Sequence, residues 1–308
     1  MIIFSKIINF FFSIFKKKIL NRLLVLLGLN LIYKSRFYYD SYFLLEDAEV
    51  QIYSQSGEDG IIDYLITQLK IKKPNFIEIG VGDYSESNTK FLYETYYSSG
   101  LIIDCIDNLF KKVAYNTNLW KGNLKIVSIF INSTNVKKIL LENCSFKVDL
   151  ISIDIDGIDY WVLKEFPDMH PKIFVVEYNH VFGPNLEVTV PNISNFSREK
   201  YHHSFLCYGA SLKAYINLMN EKGYYFLGVN RLRNNAFFIS KRYPKEIYFP
   251  KINNLTDFEL TNGIFRESRS RNRFLNYLSE EKKIQEILDC EVIDISKNYS
   301  LKKIKEII

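Results

Sequence analysis

Five short, mostly apolar runs constrain this chain more than anything else in it: Phe76–Gly80, Leu101–Cys105, Lys125–Phe130, Leu150–Asp154 and Ile173–Glu177. Between and before them lie segments with helical spacing: Gly60–Lys70, with Ile61, Tyr64, Leu65 and Leu69 on one face, then Glu86–Tyr97, Leu109–Asn116 and Val136–Leu141. Short apolar strands alternating with helices require a parallel sheet covered on both faces. Leu212–Lys222 then reads as a helix stopped by Gly223, followed by Tyr224–Val229 and Ala236–Ser240, a hairpin-like strand pair around Asn230–Asn235. The expected fold class is α/β, a Rossmann-like, doubly wound, mostly parallel sheet. It is flanked by an apolar helical N-terminal segment (1–45) and a helical C-terminal tail (246–308), in which Phe274–Leu288 and Leu301–Ile307 are expected as exposed helices.

Composition narrows the class. Of the 308 residues, 47% are hydrophobic and 24% charged, which excludes a disordered chain, a collagen-like repeat and a polytopic membrane protein. Four cysteines without CxxC spacing exclude a disulfide scaffold and a zinc knuckle, and fit a reduced, cytoplasmic setting. The net charge of +5 is unevenly spread: the first 39 residues carry seven Lys and Arg and no acid, so the remainder is slightly acidic and no nucleic-acid reader by charge. Ile2–Phe15, Lys16–Lys18 and Ile19–Tyr33 supply no clean run of ~20 apolar residues, so an interfacial helix on the inner membrane face is expected rather than a span. A helix packed on the domain or on a partner subunit is the alternative.

Three segments carry chemistry. In the first, Phe76-Ile77-Glu78-Ile79-Gly80-Val81-Gly82-Asp83-Tyr84, a strand holding an acid runs into Gly-x-Gly ahead of a helix. Glycines there let the backbone approach a ligand closely. Position 85 is Ser, so the Gly-x-Gly-x-x-Gly of a dinucleotide site is incomplete, and the acid suits a ligand with an amino-acid ammonium group. In the second, Asp104 ends the next strand, where a carboxylate can accept both ribose hydroxyls; Asp107 competes for that role. In the third, Asp154, Asp156 and Asp159 follow one strand, and Glu177, Asn179 and His180 close the next. Asp154, Asp156, Glu177 and Asn179 form an oxygen-rich set suited to Mg²⁺ or another hard divalent cation, unless they simply bond loop amides. His180 is a candidate general base or a further ligand. Tyr201-His202-His203, the Ser211 helix cap and the arginines Arg266, Arg269, Arg271 and Arg273 read as surface or capping features.

The strand-Gly-x-Gly-Asp unit with Glu86-Ser87-Asn88-Thr89-Lys90-Phe91-Leu92 resembles the cofactor motif of class I S-adenosylmethionine-dependent methyltransferases. Gln55-Ser56-Gly57-Glu58-Asp59-Gly60, Asp154–Tyr160, Val176–Asn179 with Phe182-Gly183-Pro184, Tyr208–Leu212, Gly223-Tyr224 and Asn235–Phe238 are similar, more narrowly, to FkbM-like methyltransferases of bacterial surface-polysaccharide clusters. The resemblance covers roughly residues 50–240, and a methyltransferase-like domain is drawn at 46–245. It implies a seven-stranded sheet ending in the hairpin, with S-adenosylmethionine as cofactor. Glu78, Gly80 and Gly82 would contact the methionine part and Asp104 the ribose. Ile131–Asn135 would lie near the adenine, and Asp154 and Asp156 beside the sulfonium and substrate. Tyr84, where many relatives have a third glycine, would narrow the turn. His180 and Asp154 are the catalytic candidates. The implied activity is O-methylation of a sugar hydroxyl on a surface glycan or its lipid- or nucleotide-linked precursor. The competing expectations are a metal-dependent hydroxylase or NAD enzyme on the same sheet, and a non-catalytic membrane-associated scaffold.

Overall fold

The computed structural model describes residues 19–20, 22–256, 260 and 268–308. The run Ile2–Phe15, the triplet Lys16–Lys18 and Arg266 lie outside them. The chain enters through helix α1 (22–36) and α2 (Glu58–Gln68). It then alternates through β1 (Phe76–Ile79), α3 (Lys90–Tyr96), β2 (Ser99–Asp104), α4 (Leu109–Asn116), β3 (Asn123–Ser128), α5 (Val136–Asn143), β4 (Leu150–Ile153), α6 (Asp159–Lys164) and β5 (Ile173–Glu177). After β6 (Val188–Thr189), the short α7 (Arg198–Tyr201) and α8 (Leu212–Glu221), the hairpin β7 (Tyr224–Val229) and β8 (Asn235–Ser240) completes a seven-stranded sheet ordered β3-β2-β1-β4-β5-β8-β7. Neighbours from β3 to β5 are parallel, and β8 runs antiparallel between β5 and β7. This is the mostly parallel α/β sheet with a terminal hairpin expected above.

Alternation explains the layers. In β5, Ile173 and Val175 pack with α2, α3 and α4, while Phe174 and Val176 pack with α5, α6 and α8. With both faces covered, the parallel strands are apolar throughout and leave only their carboxyl ends to polar chemistry.

α1 docks by a narrow stripe. Val25 and Ile32 are buried against Tyr53 and Phe91, and a Cβ on Gly28 would stand 2.6 Å from Ile52 Cδ1. Arg36 pairs with Asp63 at 2.8 Å. The opposite side of α1 exposes Leu23, Leu26, Leu27 and Leu31. Among the described residues, no helix is long and apolar enough to cross a membrane.

Two expectations are corrected. The helix expected over Glu86–Tyr97 starts only at Lys90, because Ser87, Asn88 and Thr89 turn back to bond Glu78. The C-terminal tail is not helical throughout. The helix expected over Phe274–Leu288 is confined to Glu280–Glu286. Leu275–Asn276 (β10) instead pairs with Ser268–Arg269 (β9). Leu301–Lys303 belongs to a strand, β12 (Ser300–Lys303), antiparallel to β11 (Glu291–Asp294), which also pairs with β6. Nor is the tail simply exposed: Ile287, Val292 and Ile304 are fully buried in the core beneath α6 and α8.

Candidate functional site

The carboxyl ends of β1, β2 and β4 converge on a cavity of about 410 Å³. Its centre is the turn after β1. Gly80 has φ +87°, and a Cβ there would lie 1.6 Å from the Asp154 carbonyl oxygen, so β1 and β4 touch backbone to backbone at this residue. Gly82 has φ +54°, and a Cβ there would meet nothing within 4 Å. The Gly82 N–H donates to Asp104 Oδ2 at 2.7 Å, and Ile106 N–H donates to Oδ1 at 3.0 Å. Asp104 therefore joins the glycine turn to the end of β2 while lining the cavity.

Glu78 is buried below the turn. It accepts from Ser87 Oγ at 2.6 Å, from Asn88 N–H at 3.0 Å, and from the N–H and hydroxyl of Thr89. Burial pushes its carboxyl above the ordinary value, and these donors oppose that rise. Glu78 thus fixes the 87–89 segment that walls the cavity. Tyr84 has a left-handed backbone, φ 61°, and its side chain is fully buried in the core cluster shared with α2, α3 and α4, outside the cavity lining. The adenine side agrees with the expected stretch only at Ile131. The cavity wall after β3 is Ile129, Phe130 and Ile131, whereas 132–135 bond among themselves at the start of α5.

The acidic edge comes together in part. Carboxylate oxygens of Asp154, Asp156 and Glu177 lie within 4.8 Å of one another. Asp154 is hydrogen-bonded to Glu177, and its pKa is raised well above the ordinary value by burial, then by the charges of Glu177 and Asp156. Asp156 is ion-paired to Arg198 of α7. Arg198 also lies 5.5 Å from the centre of the Tyr208 ring. Asn179 is not part of the set. Its Oδ1 accepts the Val181 N–H at 3.1 Å, and its Nδ2 donates to the Leu206 and Tyr208 carbonyls at 2.7 and 3.0 Å, so the side chain is taken up in fixing backbone. His180 is also corrected: it is buried outside the cavity lining, with Nε2 3.5 Å from Lys283 Nζ of the C-terminal helix.

Asp159, fully buried at the start of α6, accepts from Ile155 N–H at 2.8 Å and Gly157 N–H at 2.9 Å, and so holds the loop bearing Asp154 and Asp156. Burial, and then the Glu177 charge, push its pKa up to about 7. Burial likewise pushes Asp59 to about 6. Both groups hold protons more tightly folded than unfolded, where the ordinary value is 3.8. Their contribution to stability is full below about pH 4 and is lost as pH rises through 6 and 7. Urea midpoints are expected to fall over that window, and Asp159→Asn to flatten the fall; an unchanged slope in the variant would contradict the assignment.

Some site residues carry no sequence signal of their role. Arg198, 42 positions from Asp156, carries no local signal of its role. Glu58 and Asn235 lie in segments that resemble the family, but their spacing gives them no role. Glu58 Oε1 accepts from Asn235 Nδ2 at 2.9 Å and from Asn230 Nδ2 at 2.8 Å, tying the start of α2 to the β7–β8 hairpin.

No protein-family model matches the chain, and no curated protein matches it by sequence. Among solved structures, it is similar to the pyocyanin biosynthetic protein PhzM at 13% identity, over 57% of this chain and 53% of that one, with a TM-score of 0.36. It is similar to PKMT2 from Rickettsia typhi in complex with AdoHcy at 11% identity, over 61% and 55%, with a TM-score of 0.39. It is similar to human N-acetylserotonin methyltransferase in complex with SAM at 11% identity, over 57% and 50%, with a TM-score of 0.35. The chain spans about half the length of each. At such scores the likeness carries no weight for activity, and the fold rests on the strand order itself.

Proposed function

We propose that this chain is an S-adenosylmethionine-dependent O-methyltransferase of the FkbM-like kind, acting on a sugar hydroxyl of a surface glycan or its precursor. One observation carries the reading: the Gly80–Gly82 turn, packed on the Asp154 carbonyl and bonded to Asp104, opens on the cavity that Asp154 also lines. The residues fit the cofactor. Asp104 can accept the ribose hydroxyls, Ile129 and Phe130 can flank the adenine, and the open side of Gly82 leaves room for the methionine part. S-adenosylmethionine, when bound, supplies an electrophilic methyl group. Asp154 lines the cavity beside Glu177; because burial and the Glu177 charge raise its pKa well above the ordinary value, it takes the proton of the attacking hydroxyl only in its ionised form, so transfer is expected to rise with pH. His180 has no part in this scheme.

Of the four residues of the expected cation set, Asp154, Asp156 and Glu177 come together and Asn179 does not; a cation there would have to displace Arg198 from Asp156. Asn179 is engaged with backbone, and the Arg198 guanidinium already neutralises Asp156.

The reading extends to location. The exposed leucines of α1 and the acid-free, basic first 39 residues favour peripheral contact with an anionic membrane, where lipid-linked glycans are held.

The test is transfer of a labelled methyl group from S-adenosylmethionine to oligosaccharides by the purified protein. Base-stable label in the sugar, an ether, is expected. Label lost in mild base, an ester, or carried on protein would contradict O-methylation of a hydroxyl.

A further inference from the structure

We infer that the acceptor is a neutral polyol, a sugar unit bearing neither phosphate nor carboxylate at its reacting end, and that it is held against a wall made by Gln55, Glu58 and Asn235. This rests on the methyltransferase reading above.

The cavity is longer than the assigned cofactor residues need. Those residues end β2 (Asp104), β1 (Gly80, Gly82) and β4 (Asp154), whereas the lining continues to Asn235 on β8. From β2 to β8 there are four strand spacings, roughly 19 Å at about 4.8 Å each. The β5–β8 side is left for a second ligand. Glu177 and Asn235 stand directly opposite in the antiparallel β5–β8 pair, so both side chains rise from the same face of the sheet.

Asn235 supplies the polar signal. It is 5% exposed. Its Nδ2 donates to Glu58 Oε1, and because a carboxylate only accepts, this bond fixes which way the amide is turned. The opposite end, Oδ1, is buried without a hydrogen-bond partner. A buried carbonyl oxygen on a cavity wall calls for a donor from the ligand, and a sugar hydroxyl is such a donor. Glu58 is itself held in place by the Ser56 N–H at 2.9 Å and by Asn230, so the wall is rigid before any ligand arrives.

Charge decides what kind of donor enters. Among the described residues that line the cavity, seven are Asp or Glu and none is Lys, Arg or His. Arg198 is bonded to Asp156 and stands outside the lining. Asp156 is offset by Arg198, but a uronate or a nucleoside diphosphate would still meet the remaining lining acids with no basic side chain in the lining to receive it. Neutral hydroxyls instead meet a surface of acceptors.

The test uses three matched probes with labelled S-adenosylmethionine: neutral oligosaccharides, the same oligosaccharides carrying a uronic acid, and the corresponding nucleoside diphosphate sugars. S-adenosylhomocysteine binding is measured first on the same preparation. Its absence in folded protein would bring down the methyltransferase reading, and this inference with it. With the cofactor site proven, the neutral set is expected to be preferred by at least about tenfold in kcat/KM. Equal or better use of either anionic set, or no transfer to the neutral set, overturns the inference. Asn235→Leu is expected to raise KM for the neutral acceptor about tenfold, while S-adenosylhomocysteine affinity changes by less than about threefold. Should that variant fail to fold, Gln55→Lys keeps the question open to test, because Gln55 is exposed and the change adds a cation to the wall. It is expected to shift the preference toward the uronate by about tenfold; an unmoved preference would overturn the role of the wall.

Discussion

Gly80→Ala is expected to destabilise the fold by about 4 kcal/mol and to abolish S-adenosylhomocysteine binding. Two costs add: an L-residue at φ +87° loses roughly 1–2 kcal/mol, and a Cβ placed 1.6 Å from the Asp154 carbonyl forces β1 and β4 apart at a further cost of about 1–3 kcal/mol. That is a large part of the 5–15 kcal/mol that holds an ordinary domain together. Gly82→Ala is the contrast. Its φ of +54° carries only the backbone cost of ~1 kcal/mol, and its Cβ meets no protein atom within 4 Å. It should stay folded while its methyl group takes up cofactor space. Denaturant unfolding beside titration separates the two; equal stability losses would mean that the β1–β4 contact is not as close as described.

Asp104→Ala is expected to weaken S-adenosylhomocysteine binding at least a hundredfold. Each hydrogen bond from a ribose hydroxyl to a carboxylate contributes about 1.5–3 kcal/mol, and two such bonds correspond to a factor of a hundred or more. The variant also frees the Gly82 N–H, which Asp104 Oδ2 now holds at 2.7 Å. Asp104→Asn, which keeps an acceptor for Gly82 but loses the charge, should fall between the two. Unchanged affinity in the Ala variant would remove Asp104 as the ribose acid.

The sequence was most legible where one pattern has one structural solution. Apolar runs such as Ile173–Glu177 could only be strands covered on both faces, and the observed bounds match. The glycine turn was legible because φ near +90° at a close backbone contact leaves glycine little competition. Legibility failed where a side chain's partner lies far along the chain. His180 follows a site strand but is buried outside the cavity lining, with Lys283, 103 residues later, 3.5 Å from its Nε2. Asp156 keeps its place beside Asp154 and Glu177, but its ion pair with Arg198, 42 residues later, is not visible in the sequence. Asn179 carries a local clue of its role: Asn directly ahead of a helical turn is a capping residue, and its side chain accepts the Val181 N–H. The tail misled for another reason. Glu291–Asp294 is too short to declare a strand by period, and it becomes one only by pairing with β6 and β12.

The cavity at the ends of β1, β2 and β4 is proposed above as a cofactor site. Calorimetric titration of the folded protein with S-adenosylhomocysteine, before and after chelation, tests it most directly. One site per chain with micromolar affinity, unaffected by chelator, is the predicted result. Absence of binding by folded protein in both conditions would contradict the account and leave the glycine turn without a ligand.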